Sequence, residues 1–171
     1  SLQTGRKLSG IVEVDGVWVG GHIRPANPFD RRYKPAPKRT YSDKRRSVVT
    51  IRERRRGGRT LSFVARSEGE AAKTILAHTE RAAVLHTDME PGWGLLMRYR
   101  TVEQVNHSKE HVRVLPNGQA VHINHVESFN SRVRSAQRGV HHRISGRYLQ
   151  SYADEMGWRV DHRHVDNGKQ F

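Results

Sequence analysis

The sequence predicts an α/β domain, a mixed β-sheet flanked by helices. Three observations predict it. Alternating, β-branched runs recur early in the chain, at 8–21, 45–55 and 59–68, and period-two alternation sends successive side chains to opposite faces of a strand. Runs of helical period, with apolar residues three and four apart, follow them, the clearest at 122–139 and from Leu149 to Val160. The two kinds then alternate, which is the order expected when helices cover a sheet.

The first strand is LSGIVEVDGVWVGG, 8–21, where Ile11, Glu13, Asp15 and Val17 alternate with Val12, Val14, Gly16 and Trp18. Residues 22–46 hold four of the six prolines, Pro25, Pro28, Pro35 and Pro37. Proline removes a backbone donor and fixes φ, so this stretch is a loop. Strands over 45–55 and 59–68 follow, with Gly57-Gly58 supplying a hairpin turn. Ser67-Glu68-Gly69-Glu70 opens a helix through Ala71, Ala72, Ile75 and Leu76 to about His78, its acids favourable at the N-terminal dipole. AAVLHTDM, 82–89, is a buried strand ending at Asp88. A second helix is expected over 92–99, a strand over 100–107, and a loop up to the 122–139 helix. In that helix Asn124 is the expected cap, Val126, Phe129 and Val133 form the apolar stripe, and Gly139 is the expected end. Glu127, Ser131, Arg134 and Arg138 share another face. Ser145 is the expected cap of the last helix, whose stripe is Leu149, Tyr152, Met156 and Val160.

A chain of 171 residues suffices for one domain with a core. We divide it into a lead-in (1–9), a domain (10–165) carrying the basic, Pro-rich insert 22–46, and a polar tail (166–171). No run of 18 apolar residues exists to span a membrane, and the first residues lack the apolar stretch of a signal peptide. With no cysteine, disulfides and cysteine-based metal sites are excluded. These features predict a cytoplasmic location.

The formal net charge is +14, from 31 Lys and Arg against 17 Asp and Glu. Such a surplus predicts a polyanionic partner, most simply nucleic acid. From Arg24 to Arg59 there are 14 basic residues and three acids. The candidate phosphate contacts in this stretch are Arg24, Arg31, Arg32, Lys34, Lys38, Arg39, Lys44, Arg45, Arg46, Arg54, Arg55 and Arg56, with Phe29, Tyr33 and Tyr41 interleaved. Arg132, Arg134 and Arg138 add a second group on the 122–139 helix.

Against this basic background three isolated acids stand out. Asp15 lies inside a strand, where Asp is depleted. Asp88 ends a buried strand, and Glu127 lies among arginines. Three strands, a helix, a strand, a helix, a strand and then helices is the element order of a ribonuclease-H-like domain. In such a sheet the first and fourth strands can be neighbours, bringing Asp15 beside Asp88. Converging carboxylates repel one another and are relieved by cations. Hard oxygen ligands suit Mg²⁺ or Mn²⁺, and two such ions can activate the attacking oxygen and stabilise the leaving one in phosphodiester chemistry. Other residues have plainer readings: His107, His125 and His141-His142 as structural or phosphate-contacting histidines, Glu155 as a partner for Arg159, and Trp18 and Trp93 as packing beside the acids.

VEVDGVWVGG, HTDMEPGW, VNHSKEHV, HINHVESFNSRVR, GVHHRIS and YLQSYADEMGWRVDHR occur in the order found in a branch of bacterial insertion-sequence transposases with a DDE catalytic domain. The resemblance runs from about residue 8 to 163 and is carried by six motifs in sequence. It implies a ribonuclease-H-like fold, metal-dependent strand cleavage and strand transfer, DNA as partner, a homodimer or higher oligomer on DNA, and a place at the prokaryotic nucleoid. Asp15, Asp88 and Glu127 match the DDE triad; Asn124 and His122 are alternatives for the third residue. Gly16 stands where the family commonly has Glu, and Asn130 where it has Trp. The family usually carries a cysteine-rich zinc ribbon ahead of this domain, so the resemblance is to the catalytic domain alone. Another metal-dependent nuclease on this fold, such as a resolvase, and a decayed transposase that only binds DNA are the alternative functions.

Overall fold

The structure is a computed structural model, which describes residues 5–20, 45–106, 109–141, 144 and 146–166. Within it are β1 (Ile11–Gly20), β2 (Arg45–Glu53), β3 (Thr60–Ala65), α1 (Glu68–His78), β4 (Val84–Asp88), α2 (Gly94–Met97), β5 (Thr101–Val105), β6 (Arg113–Val114), β7 (Ala120–Val121), α3 (Asn124–Ser135) and α4 (Leu149–His162). Five strands form one sheet in the order β3-β2-β1-β4-β5. β1 pairs antiparallel with β2 and parallel with β4; β2–β3 is antiparallel and β4–β5 parallel. This is the ribonuclease-H-like architecture predicted from the element order.

Alternation along β1 divides the core in two. Val12 and Val14 face α1, where they join Ile51, Ile75, Leu85, Trp93 and Leu96. Val17 and Val19 face α3 and α4, where they meet Phe129, Val133, Leu149 and Val160. Glu13 and Asp15 share the parity of Val17, so both lie on the α3 side. The Val126, Phe129 and Val133 stripe is buried as its spacing predicts. Phe129 is among the large fully buried side chains; truncating such a phenylalanine to alanine costs about 3–5 kcal/mol.

α4 is tied to the edge of the sheet by a polar latch. The Asp161 carboxylate accepts from the Arg52 guanidinium at 2.7 Å and from the Thr60 N–H at 2.8 Å. Arg52 is almost fully buried, so its charge is paired, as burial requires.

Several local expectations are corrected. Between β2 and β3 only Gly57 has a positive φ, 66°; Gly58 is needed for close approach, since a Cβ there would lie 2.4 Å from the Glu53 carbonyl oxygen. The expected 92–99 helix is a 3₁₀ turn, Pro91–Trp93, leading into the short α2. The expected loop before α3 contains the β6–β7 hairpin. The cap position of α3 is Ile123, not Asn124, and no side chain of its own caps it. Its C-terminal end passes Gly139 in a π turn, Ala136–Val140. Ser67 caps α1 as expected, accepting from the Glu70 N–H. Ser145, His107 and His142 lie outside the described residues, as does most of the Pro-rich insert.

Candidate active site

β1 and β4 run parallel, and their last paired residues are Val14 and Thr87. One residue further on each strand stand Asp15 and Asp88, which the parallel pairing brings side by side. Each is held by donors. Asp15 Oδ1 accepts from the Gly16 N–H at 2.8 Å, and Oδ2 accepts from Asn130 Nδ2 at 2.9 Å. Asp88 Oδ1 accepts from Trp93 Nε1 at 2.7 Å and from the Glu90 N–H at 3.3 Å. Trp93 is fully buried, and the 3₁₀ turn that the sequence disguised as helix aims its indole N–H at the acid.

Burial pushes the Asp15 carboxyl up to about 7, helped by the charge of Asp88 and, more weakly, of Glu127, against the lowering effect of the Gly16 and Asn130 bonds. Glu68, the first residue of α1, is also pushed up to about 7, by burial first and then by Asp88, Glu90 and Asp15. Asp15 and Glu68 thus each feel Asp88 and Glu68 feels Asp15 at this end of the sheet, while Glu127 on α3 acts on Asp15.

α3 is fixed against β1 at two points, and the first is Glu13. Its fully buried carboxylate accepts from the His125 N–H at 2.9 Å and the Val126 N–H at 3.2 Å. A residue distant in sequence thus caps the helix that no local side chain caps, and its negative charge suits a helix N-terminus. The second point is the Asn130–Asp15 bond. Five helical residues rise about 7.5 Å and two strand residues about 7 Å, so the two clamps match in spacing and α3 runs along β1. Glu127 lies between them.

Arg54 completes this latch. Its Nε donates to Glu13 Oε1 at 2.9 Å, one amino group donates to the Ala120 carbonyl at 2.6 Å, and the other contacts the His122 carbonyl and His86 Nδ1. Burial, then the Arg54 charge, lowers His86 to about 4 and also holds His122 below its ordinary value. Arg54 is thus the permanent positive charge on the Glu13 carboxylate, whose Oε1 is also in contact with His125 Nδ1 at 2.8 Å. Glu13, His122 and His125 have donor atoms within 4.8 Å of one another, a spacing a cation could use. Arg54 already occupies Glu13 Oε1 and supplies the positive charge, so the cluster serves as a buried ion pair that holds α3.

The structure brings Asp15, Asp88 and Glu127 to one end of the sheet. His122 turns away from them, its Nδ1 3.3 Å from Glu13 Oε1. Asn124 is exposed and lines a cleft with Arg52, Ser128, Arg132 and Arg163. Among the basic candidates, Arg132, Arg134 and Arg138 are exposed on and just beyond α3, and Arg56 is exposed in the β2–β3 turn. Arg55 is half-exposed and bonded to Glu53, and Arg46 is half-buried in β2. Arg45 lies in β2, and nothing is described of its side chain. Arg54 is the correction: read as a phosphate contact, it is turned inward, because a buried Glu13 demands a partner. Arg24, Arg31, Arg32, Lys34, Lys38, Arg39 and Lys44 lie outside the described residues.

Sequence reasoning passed over Glu13, Glu68 and Asn130 as parts of the site, and read Trp93 as packing beside the acids where it is a hydrogen-bond donor to Asp88. Glu13 had a signal, since it shares the strand parity of Asp15. Asn130 had one in its departure from the family pattern. Glu155 pairs with Arg159 at 2.7 Å, as i,i+4 spacing predicts.

A mixed five-stranded sheet flanked by helices, with acids gathered where the first and fourth strands run side by side, is the architecture of a ribonuclease-H-like transposase domain. The chain belongs to the family described as the ISXO2-like transposase domain, which matches residues 7–161. No curated protein and no solved structure matches it. Among the described residues, no helix is long and apolar enough to cross a membrane.

Proposed function

We propose that this domain cuts DNA at the ends of an insertion element and joins the freed 3′ ends to target DNA, with Asp15, Asp88 and Glu127 holding two Mg²⁺ or Mn²⁺ ions. The observation that carries this reading is the convergence of the acids: the parallel pairing of β1 and β4 sets Asp15 beside Asp88, and burial, then the charge of Asp88, raises Asp15 to about 7. A carboxylate so destabilised is the expected state of a cation ligand in the absence of its cation. The residues fit such ions. The donors are oxygens, which suit hard divalent cations. Beside Asp15, the Oδ1 of Asn130 is buried without a hydrogen-bond partner and suits a cation or a water bound to one.

When bound, the two ions supply activation of the attacking oxygen and stabilisation of the leaving oxygen. The chain's own groups position and bind. Gly16 and Asn130 fix the two oxygens of Asp15, Trp93 fixes one of Asp88, and Glu13 with Arg54 holds the helix that carries Glu127. DNA is the partner that membership of the family implies. Arg132, Arg134 and Arg138 contact its phosphates, and the basic insert 22–46 adds further contacts. A homodimer or higher oligomer on DNA brings two element ends together.

The test is a strand-transfer reaction on a plasmid carrying the element's terminal repeats, with Mg²⁺ or Mn²⁺. Wild type is expected to give cleaved and joined products. Asp88→Asn and Glu127→Gln are expected to bind the DNA but lose ~10²-fold or more of the cleavage. Full cleavage by a folded Asp88→Asn/Glu127→Gln double variant would sink the proposal.

A further inference from the structure

Glu68 is left unexplained by three acids alone. A Cβ added at Gly16 would lie 2.6 Å from its Oε1 and 2.9 Å from its Cγ, and one added at Gly92 would lie 3.1 Å from its Cβ. The side chain thus passes through space that two glycines leave open, beside the strand position next to Asp15. An acid in the first turn of a helix is ordinarily explained by the dipole. Glu70 already fills that role in solvent, where its Oε2 accepts from the Arg66 N–H at 2.8 Å. Glu68 instead lies half-buried over Gly16, where burial first, and then the charges of Asp88, Glu90 and Asp15, disfavour its ionised form. Among the described residues, no donor is hydrogen-bonded to its carboxylate and no base is paired with it.

A half-buried carboxylate among other carboxylates, without a donor, has a deficit that a cation would fill. Asn130 is the independent observation. It is 1% exposed, its Nδ2 is committed to Asp15, and its Oδ1 is a buried acceptor with nothing to accept from. Its amide must present nitrogen to the carboxylate, so the oxygen's deficit is not removed by flipping it. Donor-poor oxygens thus lie on both faces of β1 at its Asp15-Gly16 step, Asn130 Oδ1 on the α3 side and the Glu68 carboxylate over Gly16 on the α1 side, and a cation at this end of the sheet would answer both.

We propose that Glu68 is a fourth carboxylate ligand of the divalent-cation site, admitted beside Asp15 and Asp88 by the glycines at 16 and 92. This rests on the reading of Asp15 and Asp88 as cation ligands. Gly16 is then a functional position: any side chain there would displace Glu68.

The experiment is Mn²⁺ titration followed by the electron paramagnetic resonance of the free ion, with thermal unfolding measured with and without Mn²⁺. It compares wild type with Asp88→Asn, Glu68→Gln and Gly16→Ala. Glu68→Gln is expected to weaken Mn²⁺ binding roughly tenfold or more. It should raise the metal-free Tm, because one of several repelling acids is gone, and shrink the Tm rise that Mn²⁺ produces. A merely structural Glu68 would do the reverse to the metal-free Tm. Gly16→Ala keeps every acid but pushes Glu68 aside, and should weaken binding likewise; it carries the test if Glu68→Gln is recovered unfolded. Wild-type affinity in both variants, with Asp88→Asn impaired, overturns the role of Glu68 and leaves the three-acid site standing. Failure of wild type to bind Mn²⁺, or wild-type affinity in Asp88→Asn, overturns the site itself and this inference with it.

Discussion

Replacing Asp15 with asparagine isolates the electrostatic cost of the acid cluster. The carboxyl is raised from 3.8 to about 7 in the fold, so the folded state prefers it protonated. Its contribution to stability is therefore present below about pH 4 and lost as pH rises to about 7. At roughly 1.4 kcal/mol per tenfold change in proton affinity, the ionised acid costs the metal-free protein about 4 kcal/mol at most. Asp15 is only partly enclosed, and water penetration reduces this, so a measured loss of roughly 2 kcal/mol is expected. Asparagine keeps an oxygen for the Gly16 N–H, and its amide N–H₂ can donate to Asn130 Oδ1 once that side chain turns over. The assay is urea unfolding in EDTA at a series of pH values. Wild type should lose stability between pH 4 and 7, whereas Asp15→Asn should show a flatter profile and be the more stable protein at pH 8. With Mn²⁺ present the order should reverse, because only wild type gains from the cation. A flat wild-type profile in EDTA, or an Asp15→Asn protein less stable than wild type at pH 8, would refute the reasoning.

Arg54→Ala takes the guanidinium from a fully buried Glu13, leaving it the His125 imidazole and two backbone N–H groups, and should cost about 3–5 kcal/mol in chemical denaturation. The slope of log affinity for DNA against log salt should stay as in wild type. Arg132→Ala/Arg134→Ala/Arg138→Ala should do the opposite: unchanged stability, and a salt slope shallower by about 2.7 if each arginine neutralises one phosphate. Glu13→Gln preserves shape but removes the charge that caps α3; cleavage should fall roughly tenfold while DNA affinity holds, and full cleavage would show that α3 needs no such anchor. Asp161→Asn weakens the hold on Arg52 and should lower stability by roughly 1–3 kcal/mol, read from its urea midpoint.

The sequence by itself determined the class of fold. Period-two runs and helical stripes in a fixed order leave few topologies for a mixed sheet, and both cores formed where that periodicity put them. It also singled out Asp15, Asp88 and Glu127, because an acid inside a strand, or alone among arginines, contradicts its local setting and calls for a reason. Composition indicated a polyanionic partner, but could not sort the arginines. Arg54 and Arg56 are two residues apart in one basic run, yet one is turned onto a buried glutamate and the other lies in solvent. Which face a turn residue presents is set by the strand pairing of β1 with β2, a contact across some forty residues. The same limit hid the supports of the site. Asn124 has every local credential of a helix cap, but Glu13, more than a hundred residues away, takes the free N–H groups, since the sheet presses it onto the helix end. Gly16 and Asn130 were legible only as departures from a pattern; the structure places both against Asp15, and Glu68 over the glycine. Such partnerships arise from what packing brings together, and distance along the chain carries no signal of them.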